Sequence, residues 1–173
     1  DNEQSLVRMF VTCNKTNLKE IVVNMSCWHQ MQDQDGINRQ LPIINAYSES
    51  LSNLQVLADG YPSLEYVQSI SAMRQTGYSM DDIGEGKNSD GPELIISVDD
   101  CPTWINLWGG ANTVVQALRK VKNTRSEAEG FISKLSAEGT PDSDGYNILY
   151  CWYIYSVPAF ILAKSRVIHY DNS

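Results

Sequence analysis

Thr103-Trp104-Ile105-Asn106-Leu107 runs directly into Trp108-Gly109-Gly110-Ala111-Asn112-Thr113, and the helix-like run Val114 to Val121 follows at once. The first five residues read as a strand. A strand that ends in two glycines and turns straight into a helix places backbone amides and a polar pair at the C-terminal edge of a sheet. In open α/β folds that edge is where ligands bind. Glycine lets the backbone approach a ligand closely, while Asn112 and Thr113 suit both a helix cap and a ligand contact. A tight, well-capped turn is the plainer reading of the same residues.

Outward from this point the chain alternates. Val114, Val115, Leu118 and Val121 repeat at helical spacing and face a core. Thr124-Arg125-Ser126-Glu127 has capping-box spacing and predicts a second helix running to Leu135. Upstream, Leu6, Val7, Phe10 and Val11 form a helical stripe, Asn14 to Asn17 a polar turn, and Lys19 to Ser26 a buried strand. Gln30 to Gly36 reads as a polar loop. Pro42 suits the first turn of a helix carrying Ile43, Ile44, Tyr47, Leu51 and Leu54. Ser63 to Met73 reads as another helix, with Leu64, Val67 and Ile70 on one face. Gly77 to Gly91 holds four glycines and little apolar content, a long surface loop of the kind that carries function. Glu93 to Val98 begins a short helix that Asp99-Asp100-Cys101-Pro102 breaks. Strands alternating with helices predict an α/β class fold, a three-layer α/β/α sandwich on an open, mostly parallel sheet. After Leu135 order declines: Ser136-Ala137-Glu138-Gly139-Thr140 is a poor strand former, and Tyr150 to Tyr155 is a further strand candidate.

With 173 residues, 42% hydrophobic and 20% charged, the chain has enough apolar content for a core and is not disordered. A net charge of −8 argues against a nucleic-acid backbone or an anionic membrane as partner and suits neutral ligands such as sugars. The apolar run Val157 to Ala163 is far short of the roughly 20 residues that span a bilayer. Cys13, Cys27, Cys101 and Cys151 show no metal-binding spacing and read as buried thiols. Asn14-Lys15-Thr16 is a glycosylation sequon, of consequence only in a eukaryotic secretory route. His29 and His169 form no triad, no Gly-x-Ser-x-Gly elbow exists, and Gly84-Glu85-Gly86-Lys87 lacks phosphate-loop spacing.

Four segments occur in one order: Asp1-Asn2-Glu3-Gln4-Ser5-Leu6-Val7-Arg8, Ala58-Asp59-Gly60-Tyr61-Pro62-Ser63, Gly84-Glu85-Gly86-Lys87-Asn88-Ser89-Asp90-Gly91 and Trp108-Gly109-Gly110-Ala111-Asn112-Thr113. Together they resemble the nucleoside-hydrolase-like domain of a family of secreted proteins described as cellulose-binding, a distant relative of the calcium-dependent nucleoside hydrolases. The likeness runs from Asp1 to about Leu135, so residues 1–135 are assigned to this domain and residues 136–173 to a divergent C-terminal segment of it. The resemblance implies a secreted location and a sugar or nucleoside ligand. It also implies a first strand upstream of Asp1 and an Asp-rich motif of which Asp142-Ser143-Asp144 is the remnant, hence a scaffold incomplete at both ends. An open sheet edge would leave homodimer formation as one outcome.

The resemblance implies chemistry as well. Asp1 and Asn2 fall where the relatives' calcium-binding loop ends in two aspartates, and the backbone near Asn112 falls where the metal shell is completed. Asn2 replaces an anionic ligand by a neutral amide, which calcium accepts with lower affinity. No general base is identifiable, so the catalytic residues stay unassigned. A helix start favoured by Asp1 and Glu3 is the alternative use of the N-terminal residues. Trp28 is a candidate sugar-stacking platform or a partly buried core residue. Glu85 and Lys87 are candidates to hydrogen-bond sugar hydroxyls together with Asn112, or members of a solvated loop, and Asp59 and Tyr61 either line the same cleft or shape a turn. Three functions follow: calcium-assisted glycosidic or N-ribosyl hydrolysis, non-catalytic binding of a carbohydrate such as cellulose, or a degenerate copy without activity.

Overall fold

The computed structural model describes residues 2–23, 35–73, 83–98, 102–107 and 112–139. The chain divides into two compact units, one of Asp1–Val23 and Asp33–Met73, the other of Asn24–Gln32 and Arg74–Ser173. No helix among the described residues is long and apolar enough to cross a membrane.

The first unit opens with helix α1, Asn2–Thr12. Its predicted stripe splits: Leu6 and Phe10 are buried, while Val7 and Val11 are exposed. Phe10 stacks on Tyr47 with ring centroids 4.8 Å apart. A single 3-10 turn, Cys13–Lys15, follows, and Cys13 is a buried free thiol as expected. Strand β1, Ile21–Val23, is the described part of the expected Lys19 to Ser26 strand.

Helix α2, Asp35–Leu57, corrects two expectations, because it begins inside the polar loop and carries Pro42 in its interior rather than its first turn. Gln40, Ile44 and Tyr47 form one buried stripe that continues across the proline. That continuous burial outweighs the missing proline N–H donor. Helix α3 spans Leu64–Ser69, with the Ser63 side chain accepting from the Tyr66 N–H. The helix expected to reach Met73 stops there, and Ser71–Met73 forms strand β2. The Ser69 and Ser71 hydroxyls bond back to the Tyr66 and Val67 carbonyls and end the helix, which frees the next residues to pair. β1 and β2 pair in parallel, Ile21 opposite Ser71.

Three tyrosine hydroxyls close this unit. Tyr47 donates to the Pro62 carbonyl at 2.7 Å, Tyr61 to that of Val11 at 2.8 Å and Tyr66 to that of Leu18 at 2.8 Å. Gly60 has φ +90°, and a β-carbon there would meet the Asn14 carbonyl oxygen at 3.3 Å, so both backbone and space call for glycine. Asn14 itself donates to the Asp59 carbonyl, which ties the sequon into the turn.

In the second unit, helix α4 covers Asp90–Ser97 and starts three residues earlier than expected, with Gly91 and Pro92 buried in its first turn. Strand β3 occupies Thr103–Leu107 as the sequence predicts, and helix α5 runs Asn112–Thr124. The expected capping box does not form. Thr124 belongs to α5, where its hydroxyl bonds the Lys120 carbonyl, and helix α6 starts only at Ala128 and ends at Lys134.

The segment read as a poor strand former is strand β4, Leu135–Gly139, paired in parallel with β3 from Thr103↔Leu135 to Leu107↔Gly139. Pairing with a neighbour decides β structure more than intrinsic propensity does. Leu107, Val115, Leu118, Val121, Phe131 and Ile132 supply most of this unit's core. The Tyr150 to Tyr155 candidate and Asp142-Ser143-Asp144 lie outside the described residues, as do Cys27, Cys101, Cys151, His29 and His169.

Candidate functional site

β3 and α5 flank the glycine pair, so the chain does pass from strand to helix where the sequence says it should. The first two turns of α5 are buried on every side. Asn112 is 8% exposed, Thr113 2% and Gln116 1%, alongside Val114, Val115, Ala117 and Leu118. Asn112 and Thr113 are therefore not a solvent-facing cap but the buried opening turn of a core helix. Polar groups in such a place need partners, because an unpaired one keeps its desolvation cost.

Gln116 has them. Its Oε1 accepts from the Gly84 N–H at 2.9 Å. Its Nε2 donates to the Gly84 carbonyl at 2.8 Å and to Asn88 Oδ1 at 2.7 Å. This one side chain ties the third sequence motif, Gly84 to Gly91, to the helix that begins in the fourth. Asn112 and Gln116 are four residues apart and so neighbours on one helix face, with β-carbons separated by about 5–6 Å. Between Gly84 and Asn88 the loop turns through Gly86, whose φ of +75° favours glycine, and the Lys87 N–H reaches the Gly84 carbonyl at 3.4 Å. Glu85 and Lys87 stand on the exposed tip of this turn.

The anchoring extends to α4. Its Glu93 carboxylate pairs with the Lys120 ammonium of α5. Ser89 sits at the N-cap of α4 but makes no side-chain capping bond. The buried Ser89 Oγ and Thr113 Oγ1 have no hydrogen-bond partner among the described residues.

The other sequence candidates fall elsewhere. Trp28 and Asp1 lie outside the described residues. Asn2 opens α1 in the first unit and Asn112 opens α5 in the second. Glu3 lies in the first turn of α1 and pairs with Arg39 at 4.0 Å, both well exposed. The Asp59 backbone carbonyl accepts from Asn14 and the Tyr61 hydroxyl donates to the Val11 carbonyl, so both residues take part in the turn ahead of Pro62. Among the described residues no three His, Cys, Asp or Glu side chains gather into a metal cage.

One further ionisable group is perturbed. Glu20, just ahead of β1, is pushed up to about 8 by burial, and its Oε1 has no partner among the described residues. Sequence reasoning passed over Gln116. Its signal was a lone amide inside the buried stripe of Val114, Val115, Leu118 and Val121, where a polar residue implies a partner.

The model of the family described as "Cellulose-binding Sde182, nucleoside hydrolase-like domain" matches residues 1–173, through the region beyond Leu135 where the motifs fade. No curated protein matches the chain significantly. A solved structure from Saccharophagus degradans, described as a nucleoside hydrolase-related hypothetical protein associated with carbohydrate metabolism, is similar at 41% sequence identity and a TM-score of 0.74. The match covers 81% of this chain and 35% of that one, so this chain corresponds to about a third of its length. With four motifs in register and a family match over its whole length, the chain belongs to the nucleoside hydrolase-like domain family of the cellulose-binding Sde182 proteins.

Proposed function

We propose that this chain is a carbohydrate-binding domain that meets a neutral glucan such as cellulose with the Gly84–Gly91 loop. The observation that carries this reading is the clamp between the loop and Gln116, about one turn into α5, with Glu85 and Lys87 exposed to solvent between the clamped Gly84 and Asn88. Charged and amide groups around a fixed turn suit a polyhydroxylated ligand, and the acidic chain has no electrostatic need of an anionic one. Trp28 would add a stacking surface. The cellulose-binding description of the family supports both the ligand and an extracellular location. The parallel pairs β1–β2 and β3–β4 and the similarity in fold to the S. degradans protein support a three-layer α/β/α scaffold. Retention of the chain on insoluble cellulose, compared with its Glu85→Ala and Lys87→Ala variants, tests the reading. Equal recovery of all three proteins in the unbound fraction would sink it.

A second reading, glycosidic or N-ribosyl hydrolysis assisted by calcium, draws on the nucleoside hydrolase-related description of the similar structure. In this reading Asp1, Asn2 and the backbone near Asn112 would hold the ion, and no catalytic step is assigned to them. Thermal unfolding with and without millimolar calcium tests it. A rise in Tm would mark an ion held by the native state and favour hydrolysis, and release of sugar from a chromogenic riboside would establish it.

A further inference from the structure

Gln116 is 1% exposed, and the three groups it binds all belong to the loop between Gly84 and Asn88. We propose that Gln116 is a positioning residue whose neutral amide holds this loop docked on α5, and that the docked state sets the affinity of Glu85 and Lys87 for sugar. The second clause rests on the carbohydrate-binding reading above.

The chemistry of the contact demands an amide. Gln116 must accept from one group and donate to two others, and only a side chain with both functions does that. A hydrocarbon there would leave the Gly84 N–H, the Gly84 carbonyl and Asn88 Oδ1 without this partner. An ionised carboxylate would keep the first bond and turn a second oxygen against two acceptors. Within the loop itself, the Lys87 N–H reaches the Gly84 carbonyl only at 3.4 Å, a long backbone hydrogen bond. The turn also passes through Gly86, the residue with the greatest backbone freedom. Fixing such a loop before a ligand arrives removes an ordering cost from binding, which is how a residue that never touches the sugar raises affinity.

The test uses the full chain and three variants, Gln116→Glu, Gln116→Leu and Asn88→Ala, measured from pH 4 to pH 9 beside the unsubstituted protein. The readouts are retention on insoluble cellulose and amide hydrogen exchange over residues 84–88. In the Gln116→Glu variant the carboxyl, raised by burial, regains one donor when protonated. Its loop protection and retention are expected near those of the parent at low pH, and both fall about tenfold as the carboxyl ionises. Gln116→Leu is expected to lose both at every pH. Asn88→Ala, on the exposed side of the clamp, removes one bond, keeps the fold and shows a severalfold loss.

A Gln116→Glu variant whose loop exchange follows the parent at every pH overturns the clamp. Retention unchanged while loop protection is lost overturns the positioning role. Absence of retention in the parent itself overturns the carbohydrate-binding reading, and loop exchange then decides the clamp alone. If Gln116→Leu fails to fold, Asn88→Ala and the pH profile decide the outcome.

Discussion

In the first unit long-range polar contacts sit at the margin of the core, where Tyr47, Tyr61 and Tyr66 reach the carbonyls of Pro62, Val11 at the end of α1, and Leu18. In the second, beside the half-exposed Glu93–Lys120 pair, Gln116 makes its contacts from inside, on the opening turns of α5, where Asn112, Thr113 and Gln116 are buried like the valines beside them. The first arrangement closes a fold, since each hydroxyl gives its proton to a backbone carbonyl of the same unit. The second places polar groups where a purely structural helix would carry leucine, and gives Gln116 to a loop with charged residues at its tip. Departures from the simplest packing solution concentrate where function does. Among the described residues, buried side-chain oxygens without a hydrogen bond number one in the first unit, on Glu20, and two in the second, on Ser89 and Thr113.

The largest effect should come from the apolar part of the second unit. Phe131 is 3% exposed and lies beneath the Arg125 guanidinium, 5.3 Å from the ring centroid. Phe131→Ala is expected to destabilise by about 3–5 kcal/mol, read by urea unfolding. A loss below about 1 kcal/mol would mean that the polar contacts of α5, not its hydrocarbon packing, hold this unit.

The tyrosine closure of the first unit comes next. Tyr47→Phe removes the 2.7 Å bond to the Pro62 carbonyl and also strips the neighbouring Cys13 thiol of its 3.9 Å contact. The ring stays in place against Phe10, so the change isolates the hydroxyl. A loss of about 1–3 kcal/mol is expected. Burial raises both the Tyr47 hydroxyl and the Cys13 thiol above their ordinary values, so both remain protonated donors through the neutral range. Unchanged stability would show that these hydroxyls decorate the margin rather than close it.

Much of this was legible in the sequence. β3 was readable because Thr103 to Leu107 alternates toward a buried Leu107, and α5 because Val114, Val115, Leu118 and Val121 keep strict helical spacing. β4 was not, since Leu135-Ser136-Ala137-Glu138-Gly139 has no strand character of its own and becomes a strand through pairing with β3. The capping box at Thr124 misled for a related reason: the residues fit locally, but α5 had already claimed Thr124. Of the candidate site, the two motifs were visible and their junction was not. Gly84 and Gln116 are 32 positions apart, and only the folded chain brings an amide to that backbone.

Glu20 gives a smaller effect with a distinctive pH dependence. Its folded value of about 8 exceeds the ordinary 4.5, so between these the folded chain holds a proton that the unfolded chain has released. Its contribution is complete below pH 4.5 and is lost as pH rises through 8. Glu20→Gln should match the parent at pH 4 and exceed it at pH 9 by about 1 kcal/mol, given partial solvent contact of the carboxylate. Parallel stability curves for the two proteins would place this carboxylate in water after all.

The smallest change separates the units most sharply. Thr113 is 2% exposed and its Oγ1 has no partner among the described residues, so the hydroxyl costs stability where it stands. Valine keeps the β-branched shape and removes the oxygen, so Thr113→Val is expected to be neutral or stabilising by up to about 1 kcal/mol. A hydroxyl retained only for packing would leave cellulose retention unchanged in that variant. One retained for a ligand would lower retention while Tm holds or rises. A gain in stability joined to a loss in binding would set α5 apart from the tyrosine-closed unit, where removing a hydroxyl should only weaken the fold.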